Sequence, residues 1–461
     1  MSLEIAKEIC GILHNANYEA YLIGGNVRDI LLNVKPSDID LTTNATPQQI
    51  KELFQSQGFK LYTIGEKFGT IAILKDNEKI EITTYRSETE YKDFRHPLTV
   101  KFETEIKEDL KRRDFTINAM ALNPCNNELI DLFNGKEDLE NHIIRCVGNA
   151  NERFKEDSLR MLRAIRFSAK LNSIIETNTY NAIKENAMLI KEVAYERVKD
   201  ELLKILSVKD CYFALEYLLS TGILNAIIPE LSILKDVKQP KQFHKYNVLY
   251  HMFETVMSIP ENKPLLRFCA LIHDIGKTEM RLCSPYFPNH ETKGTELFLN
   301  VIAPKFKFSN EETNYISFLI SWHMSQFNFK NIINNKSALK RYLHRMGDNI
   351  RYLDDLFILF KADKEGTGIR DECLTFTVNK TYENFKEIMN NKEAIQIRDL
   401  AINGNDLIDL GVPKNETIGL ILKELIDAVI EGTEQYKRAF ELLVKAIIER
   451  EKETLSALAK L

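Results

Sequence analysis

The chain has 461 residues, 44% hydrophobic and 28% charged, with a formal net charge of −5. That length exceeds one ordinary core and predicts two to four domains, and the composition is typical of a globular protein. No apolar run reaches the length of a membrane span, the first residues lack the layout of a secretory signal, and the negative balance excludes a uniformly basic nucleic-acid binder.

The seven cysteines are scattered, odd in number and never in C-x-x-C. This usage points to a reducing compartment, with neither a zinc knuckle nor a disulfide frame, and so to a cytoplasmic address. Charge is nevertheless local. Residues 153–170 carry six Lys/Arg against two acids, a strip suited to phosphates with strong salt dependence.

In chain order, residues 1–16 read as a helix, and residues 21–25 as a short strand entering a Gly-Gly turn before a second helix at 27–32. Residues 38–42, 70–74 and 79–85 alternate or run apolar as strands do. Beyond about residue 150 strand signals fade, helical spacing takes over, and Pro229, Pro240, Pro260 and Pro264 punctuate it. The predicted class is α+β, with an α/β head at 1–145 and helical segments at 146–230, 231–370 and 371–461.

Asp38 and Asp40 lie two apart in a strand-like segment, which places both carboxylates on one face. Paired oxygen ligands of this kind can hold two Mg²⁺ ions, one activating a 3′-hydroxyl and one neutralising a leaving pyrophosphate. Glu81, on the polar face of another candidate strand, can supply a third carboxylate. A lone D-x-D is equally a solvated strand edge, so its neighbours decide. Gly24-Gly25-Asn26-Val27-Arg28-Asp29 stands at a strand-to-helix junction, where Gly25 lets backbone amides approach phosphate and Arg28 can clamp an anionic oxygen. Arg112-Arg113-Asp114-Phe115-Thr116-Ile117-Asn118 follows; Arg113 suits a triphosphate, and Asp114 and Asn118 suit ribose hydroxyls.

In Glu156-Asp157-Ser158-Leu159-Arg160-Met161-Leu162-Arg163-Ala164-Ile165-Arg166, the residues Asp157, Arg160, Arg163 and Arg166 recur every three positions, which predicts a helical stripe. Asp157 can accept from an exocyclic amine while Arg160 donates to a ring acceptor. Cytosine and adenine share that pattern; uracil and guanine reverse it. One Asp–Arg pair can therefore select CTP and ATP together without a template.

These elements, in this order, resemble the class II tRNA nucleotidyltransferase and bacterial poly(A) polymerase family. The resemblance is carried by residues 22–29, Pro36-Ser37-Asp38-Ile39-Asp40, R-R-D-F-T-I-N-A-M, E-D-x-x-R and Glu196-Arg197-Val198-Lys199-Asp200-Glu201-Leu202. It implies a polymerase-β-like head with neck, body and tail helices that hold tRNA. It also implies metal on Asp38 and Asp40, and nucleotide contacts at Gly25, Arg28, Arg113, Asp157, Arg160, Arg163 and Arg166. The stretch Arg86-Ser87-Glu88-Thr89-Glu90-Tyr91 with Phe94-Arg95-His96-Pro97 is similar to the flexible loop of members that add the terminal A. CCA addition leads, with poly(A) or A-only addition open beside it.

A second constellation comprises His251, His273-Asp274, His290, His323 and Asp363. Its L-I-H-D-I-G-K core, with a histidine 22 residues upstream, resembles the HD phosphohydrolase superfamily. Mixed imidazole and carboxylate ligands suit Ni²⁺, Mn²⁺ or Mg²⁺. The resemblance implies activity on 2′,3′-cyclic or terminal phosphates, or a retained scaffold without catalysis, and it leaves open a hydrolase whose head only binds RNA. His244 is a spare candidate ligand beside His251. Residues 399–421 resemble the start of the family's tail, although Pro413-Lys414-Asn415-Glu416-Thr417-Ile418-Gly419 departs from the usual Gly-Pro-x-I-G run. Oligomeric state is not readable from the sequence.

Overall fold

A computed structural model describes residues 2–36, 38–63, 65–75, 78–91, 97–280 and 286–431. They form two compact units. The first comprises the chain up to Val237 with Pro260–Phe268 and Asn300–Phe308; the second comprises Lys238–Ile259, Cys269–Leu299 and the chain from Ser309.

The first unit opens with the helix Ser2–Asn15 and the strand β1 (Ala20–Ile23). The helix Gly25–Leu31 follows, then β2 (Ile39–Thr43), β3 (Lys60–Tyr62), β4 (Thr70–Lys75) and β5 (Glu78–Thr84). Further on come the hairpin β6 (Arg86–Tyr91) and β7 (Pro97–Phe102), and the short strands β8 (Met120–Leu122) and β9 (Leu129–Asp131). Seven strands make one mixed sheet in the order β3-β4-β5-β2-β1-β8-β9, while β6 and β7 pair only with each other. Alternation explains the central strands. In β5, Ile80, Ile82 and Thr84 are buried between the less buried Lys79, Glu81 and Thr83, so one face enters the core and the other stays available for chemistry. The helix Ser2–Asn15 packs Ile5, Ile9 and Leu13 inward at helical spacing. The helix Pro47–Ser56 begins with a capping box in which Thr46 and Gln49 satisfy each other's backbone amides.

The expected strands at 38–42, 70–74 and 79–85 correspond to β2, β4 and β5. The sequence reading missed β3, β8 and β9, each three residues long and too short to show a period. It read 86–97 as a loop, whereas its flanks pair as the antiparallel strands β6 and β7; Phe94, Arg95 and His96 lie outside the described residues, as do Ser37 and Cys283. After the sheet the described chain is almost wholly helical, apart from the two-residue parallel pair of Ile143–Ile144 with Ile174–Ile175. Among the described residues, no helix is long and apolar enough to cross a membrane.

Candidate active site and a histidine cluster

Asp40 and Glu81 are direct partners across the parallel strands β2 and β5, so their side chains share one face. Asp38 precedes the strand and is exposed. The Asp40 carboxyl is pushed up to about 6, first by burial and then by the negative charges of Asp38 and Glu81, with Arg113 and Lys79 opposing. Exposed Lys79 is bonded to this group, its Nζ lying 2.6 Å from Glu81 Oε1. Three carboxylates crowded in this way form an all-oxygen donor set that fits a hard divalent cation.

Beside them runs a continuous polar chain. Arg28, 4% exposed, donates from Nη1 to Asn118 Oδ1 at 2.7 Å and from Nε and Nη2 to Asp29 Oδ1. Asn118 donates to Asp114 Oδ1 at 3.1 Å, and Arg163 donates to Asp114 Oδ2 at 2.8 and 2.6 Å. Burial alone would raise the Asp114 carboxyl, but Arg163, supported by Arg160 and Asn118, holds it down to about 2. Asp114 and Asn118, assigned to ribose from the sequence, are thus occupied as connectors between the arginines.

Arg113 donates from Nη2 to the fully buried Asp109 at 3.2 Å, and its Nε has no hydrogen-bond partner. Gly24 is required beside it. Its φ is +64°, and a Cβ there would lie 2.8 Å from Arg113 Nη1, a conformation and an approach that a side chain would obstruct. Gly25 opens the helix Gly25–Leu31, with Gly24 as its N-cap.

Asp157 does not share a helix with the arginines, contrary to the stripe expected from the sequence. The helix Ala150–Glu156 ends before it, its backbone is extended (φ −138°, ψ 102°), and the next helix is Leu159–Lys170. The reason is local: Asp157 Oδ1 accepts the Leu159 amide at 3.1 Å, a side-chain-to-backbone bond that competes with helix continuation. Its Oδ2 accepts from Arg197 at 3.1 Å. Arg160 donates to Glu156 Oε2 at 2.8 Å and to the Arg112 carbonyl at 3.1 Å, and Arg166 donates to Glu201 at 2.7 Å. A pocket of about 450 Å³ gathers Arg113, Asp114, Asp157, Arg160, Arg163 and Arg197. The sequence reading assigned no role to Asp109, Arg112, Arg197 or Glu201. The last two stood in the quoted E-R-x-x-x-E-L stretch, and their charge complementarity to Asp157 and Arg166 was the available signal.

In the second unit, six side chains from separate elements converge. His251 lies in the helix Val248–Met257 and Asp363 in Leu353–Gly366; His290 opens His290–Leu297, and His273-Asp274 and His323 follow the ends of Pro264–Ile272 and Asn310–Trp322. Gly276 of the H-D-I-G-K run permits the close packing, because a Cβ there would meet the His290 carbonyl oxygen at 2.0 Å. His273, His290 and His323 each place Nδ1 2.6–2.8 Å from a backbone carbonyl. A carbonyl only accepts, so each Nδ1 carries a proton while each Nε2 faces the cluster, those of His290 and His323 lying 3.1 Å apart. His251 Nε2 lies 3.1 Å from Asp363 Oδ1 without a hydrogen bond of acceptable geometry, and His273 Nε2 is likewise unpartnered. Asp274 presents Oδ2 to His251 and His273, both at 3.5 Å, and Oδ1 to His290 at 3.0 Å and His323 at 3.6 Å. The buried, unpartnered Nε2 atoms of His251 and His273, set beside carboxylates and two further imidazoles, fit metal ligation. Two ligand groups can be drawn, His251-His273-Asp363 and His273-Asp274-His323. His244 packs edge-on against His251 and is held down to about 4, first by burial and then by His251 and Lys277.

Residues 20–145 match the family described as "Poly A polymerase head domain", residues 174–234 the "Probable RNA and SrmB- binding site of polymerase A", and residues 302–438 "tRNA nucleotidyltransferase domain 2". With the carboxylate-bearing sheet and the arginine pocket, these matches define a nucleotidyltransferase with a helical C-terminal region. The chain is 33% identical over 441 residues to the CCA-adding enzyme of Lactobacillus johnsonii, covering 94% of this chain and 93% of that one. It is 32% identical over 428 residues to that of Lactobacillus gasseri, covering 91% of each. The crystal structure of the Bacillus stearothermophilus CCA-adding enzyme in complex with CTP is similar with a TM-score of 0.66 and 25% identity, over 98% of this chain and 99% of that one. The Thermotoga maritima CCA-adding enzyme complexed with tRNA shares the fold at a TM-score of 0.61 and 21% identity, over 95% of each chain. The chain belongs to the CCA-adding enzyme family. These relatives do not favour the poly(A) polymerase reading or the reading of a hydrolase with an RNA-binding head.

Proposed function

We propose that this chain adds C, C and A to the 3′ end of tRNA from CTP and ATP without a nucleic-acid template. The observation that carries the reading is the convergence of Asp40 and Glu81 on one sheet face with the arginine network that begins at Arg28 and Arg113. Asp38, Asp40 and Glu81 would hold divalent metal, with Mg²⁺ the best match to an all-carboxylate set. Bound there, the metal supplies Lewis-acid stabilisation of the triphosphate and activation of the primer hydroxyl.

The chain's own residues do the rest. Arg28, Arg113, Arg163 and Arg166 form the anion-binding wall, and Gly24 and Gly25 leave the approach beside Arg28 and Arg113 unobstructed. Glu156 and the Arg112 carbonyl fix the Arg160 guanidinium, and Arg197 fixes the Asp157 carboxylate. A donor–acceptor pair held in this way is prepared to meet cytosine or adenine, and it penalises uracil or guanine by leaving polar groups unmatched. In this reading residues 1–145 are the catalytic head and 146–230 a neck that selects the nucleotide, with residues 231–370 and 371–461 as the histidine-bearing body and an RNA-binding tail. The test is to offer tRNA lacking its 3′ CCA with each labelled nucleotide and to size the product. Three additions that require CTP and then ATP support the reading; a long A tract or a single A overturns it.

A second activity is favoured by the inward-facing Nε2 atoms around Asp274. We infer a metal-dependent phosphohydrolase site in which His251, His273, Asp274, His290, His323 and Asp363 would hold Ni²⁺, Mn²⁺ or Mg²⁺. Bound there, the metal supplies Lewis-acid polarisation of a phosphate ester. Lys277, with Nζ 2.5 Å from Asp274 Oδ2 and 2.8 Å from Gln239 Oε1, keeps that carboxylate charged and oriented. Hydrolysis of 2′,3′-cyclic or terminal phosphates would prepare damaged RNA ends for addition.

A further inference from the structure

Phe167 belongs to the helix Leu159–Lys170 and is 5% exposed. Three guanidiniums approach its ring, with Cζ atoms at 4.4 Å (Arg166), 5.2 Å (Arg28) and 5.4 Å (Arg163) from the centroid. The ring of Phe115, from the R-R-D-F stretch, packs T-shaped against it with centroids 5.8 Å apart. Each arginine also has its own carboxylate: Asp29 for Arg28, Asp114 for Arg163 and Glu201 for Arg166. Those three ion pairs anchor each arginine, and Asn118 with Asp114 bridges Arg28 to Arg163, but that bridge does not include Arg166. Three like charges left to themselves would spread apart. A buried aromatic ring supplies a common rigid surface with a negative face that draws all three toward it.

We propose that Phe167 is a positioning residue for nucleotide transfer, holding Arg28, Arg163 and Arg166 as one preassembled array for the triphosphate. The proposal rests on the nucleotide-binding reading of these arginines. A purely structural Phe would be replaceable by any apolar side chain of similar volume. An array-setting Phe requires an aromatic face. Removing the face leaves the arginines charged and paired but no longer holds Arg166 against Arg28 and Arg163, so the nucleotide itself must complete the array, at the expense of affinity.

The experiment compares Phe167→Leu, Phe167→Tyr and Met161→Ala, the last a buried position of the same helix. Steady-state CTP and ATP addition to tRNA and a thermal melt are recorded for each. Phe167→Leu is expected to raise KM for both nucleotides about tenfold, the size of one desolvated cation–π contact, with kcat changed much less. Phe167→Tyr should recover most of that affinity, and Met161→Ala should lower the melting temperature while leaving KM unchanged. Should Phe167→Leu fail to fold, Phe167→Met poses the same question with a more adaptable apolar chain. Unchanged KM in the Leu or Met variant, or a Tyr variant as impaired as Leu, overturns the positioning role. Arg28→Ala and Arg163→Ala separate the two levels. If they raise KM while Phe167→Leu does not, only the role of Phe167 falls. If they too leave KM unchanged, the nucleotide reading falls and takes this proposal with it.

Discussion

Asp40 and Glu81 are paired across the parallel strands β2 and β5, and this register places two carboxylates from distant sequence side by side. Arg113 and Lys79 oppose the repulsion at Asp40 without overcoming it, and its carboxyl stays raised, as expected of a site that works with a divalent cation. Asp40→Asn and Asp38→Ala are therefore expected to reduce kcat for CTP addition by orders of magnitude while tRNA binding stays near wild type. Filter binding beside single-turnover kinetics checks this, and near-wild-type turnover in either variant rejects the metal assignment.

Glu81→Gln gives a graded outcome. Glu81 is bonded to exposed Lys79, which offsets its charge, in a set that the more buried Asp40 anchors. Its loss should raise the Mg²⁺ concentration required for half-maximal activity and lower kcat less than loss of Asp40 does. A Mg²⁺ titration identical to wild type would remove Glu81 from the ligand set.

Asp114 links stability to pH. Its carboxyl is depressed from an ordinary value of about 4 to about 2, with burial opposing and Arg163 overriding. A depressed carboxyl contributes stability that is present in full above its unfolded value and lost as pH falls through its folded value. Wild-type protein should therefore lose this contribution between about pH 4 and pH 2. Asp114→Asn should be less stable at neutral pH by about 2 kcal/mol, limited because Arg163 retains access to water, and should show a flatter acid limb. Equal slopes of stability against pH in the two proteins would mean that the ion pair does not operate as described.

The chemistry of the site was more legible in the sequence than its connections. Asp38, Asp40, Arg28, Arg113 and Arg160 announce themselves by residue type and spacing, and β2 and β5 by alternation. Two features could not be read. Asp157 sits in a break because its own side chain captures the Leu159 amide, a local competition that three-residue periodicity conceals. The Arg28–Asn118–Asp114–Arg163 chain joins three motifs up to 135 positions apart, and only folding decides which polar groups spend their bonds on one another. In the second unit the residues that converge were plain from their types, but the carbonyl bonds that orient three imidazoles come from the backbone and could not be read.

Nucleotide choice is assigned to Asp157 and Arg160, each immobilised by a neighbour, Arg197 and Glu156 respectively. Arg160→Ala should weaken CTP and ATP use and raise the relative use of UTP or GTP, because the donor that rewarded the matching ring acceptor is gone. Arg197→Ala should act in the same direction but more weakly, through loss of Asp157 orientation. Competition assays with all four labelled nucleotides check both, and unchanged ratios in Arg160→Ala would place selectivity elsewhere.

The histidine cluster should act independently of nucleotide addition, because its ligands all belong to the second compact unit and the carboxylate set to the first. The ligand chemistries differ as well: oxygen donors favour Mg²⁺, whereas imidazole mixed with carboxylate accepts softer ions. Purified wild-type protein is expected to retain a transition metal detectable by elemental analysis, and His273→Ala/Asp274→Ala should lose it. The same double variant should keep CTP and ATP addition while losing hydrolysis of a 2′,3′-cyclic nucleotide or a phosphorylated RNA end. Chelation followed by Mg²⁺ alone should restore addition more fully than hydrolysis. Wild-type protein that binds metal yet hydrolyses none of these substrates would make the cluster a structural centre. Loss of addition together with a lowered melting temperature in the double variant would show that Asp274, which contacts four imidazoles and Lys277, is needed to hold the body together.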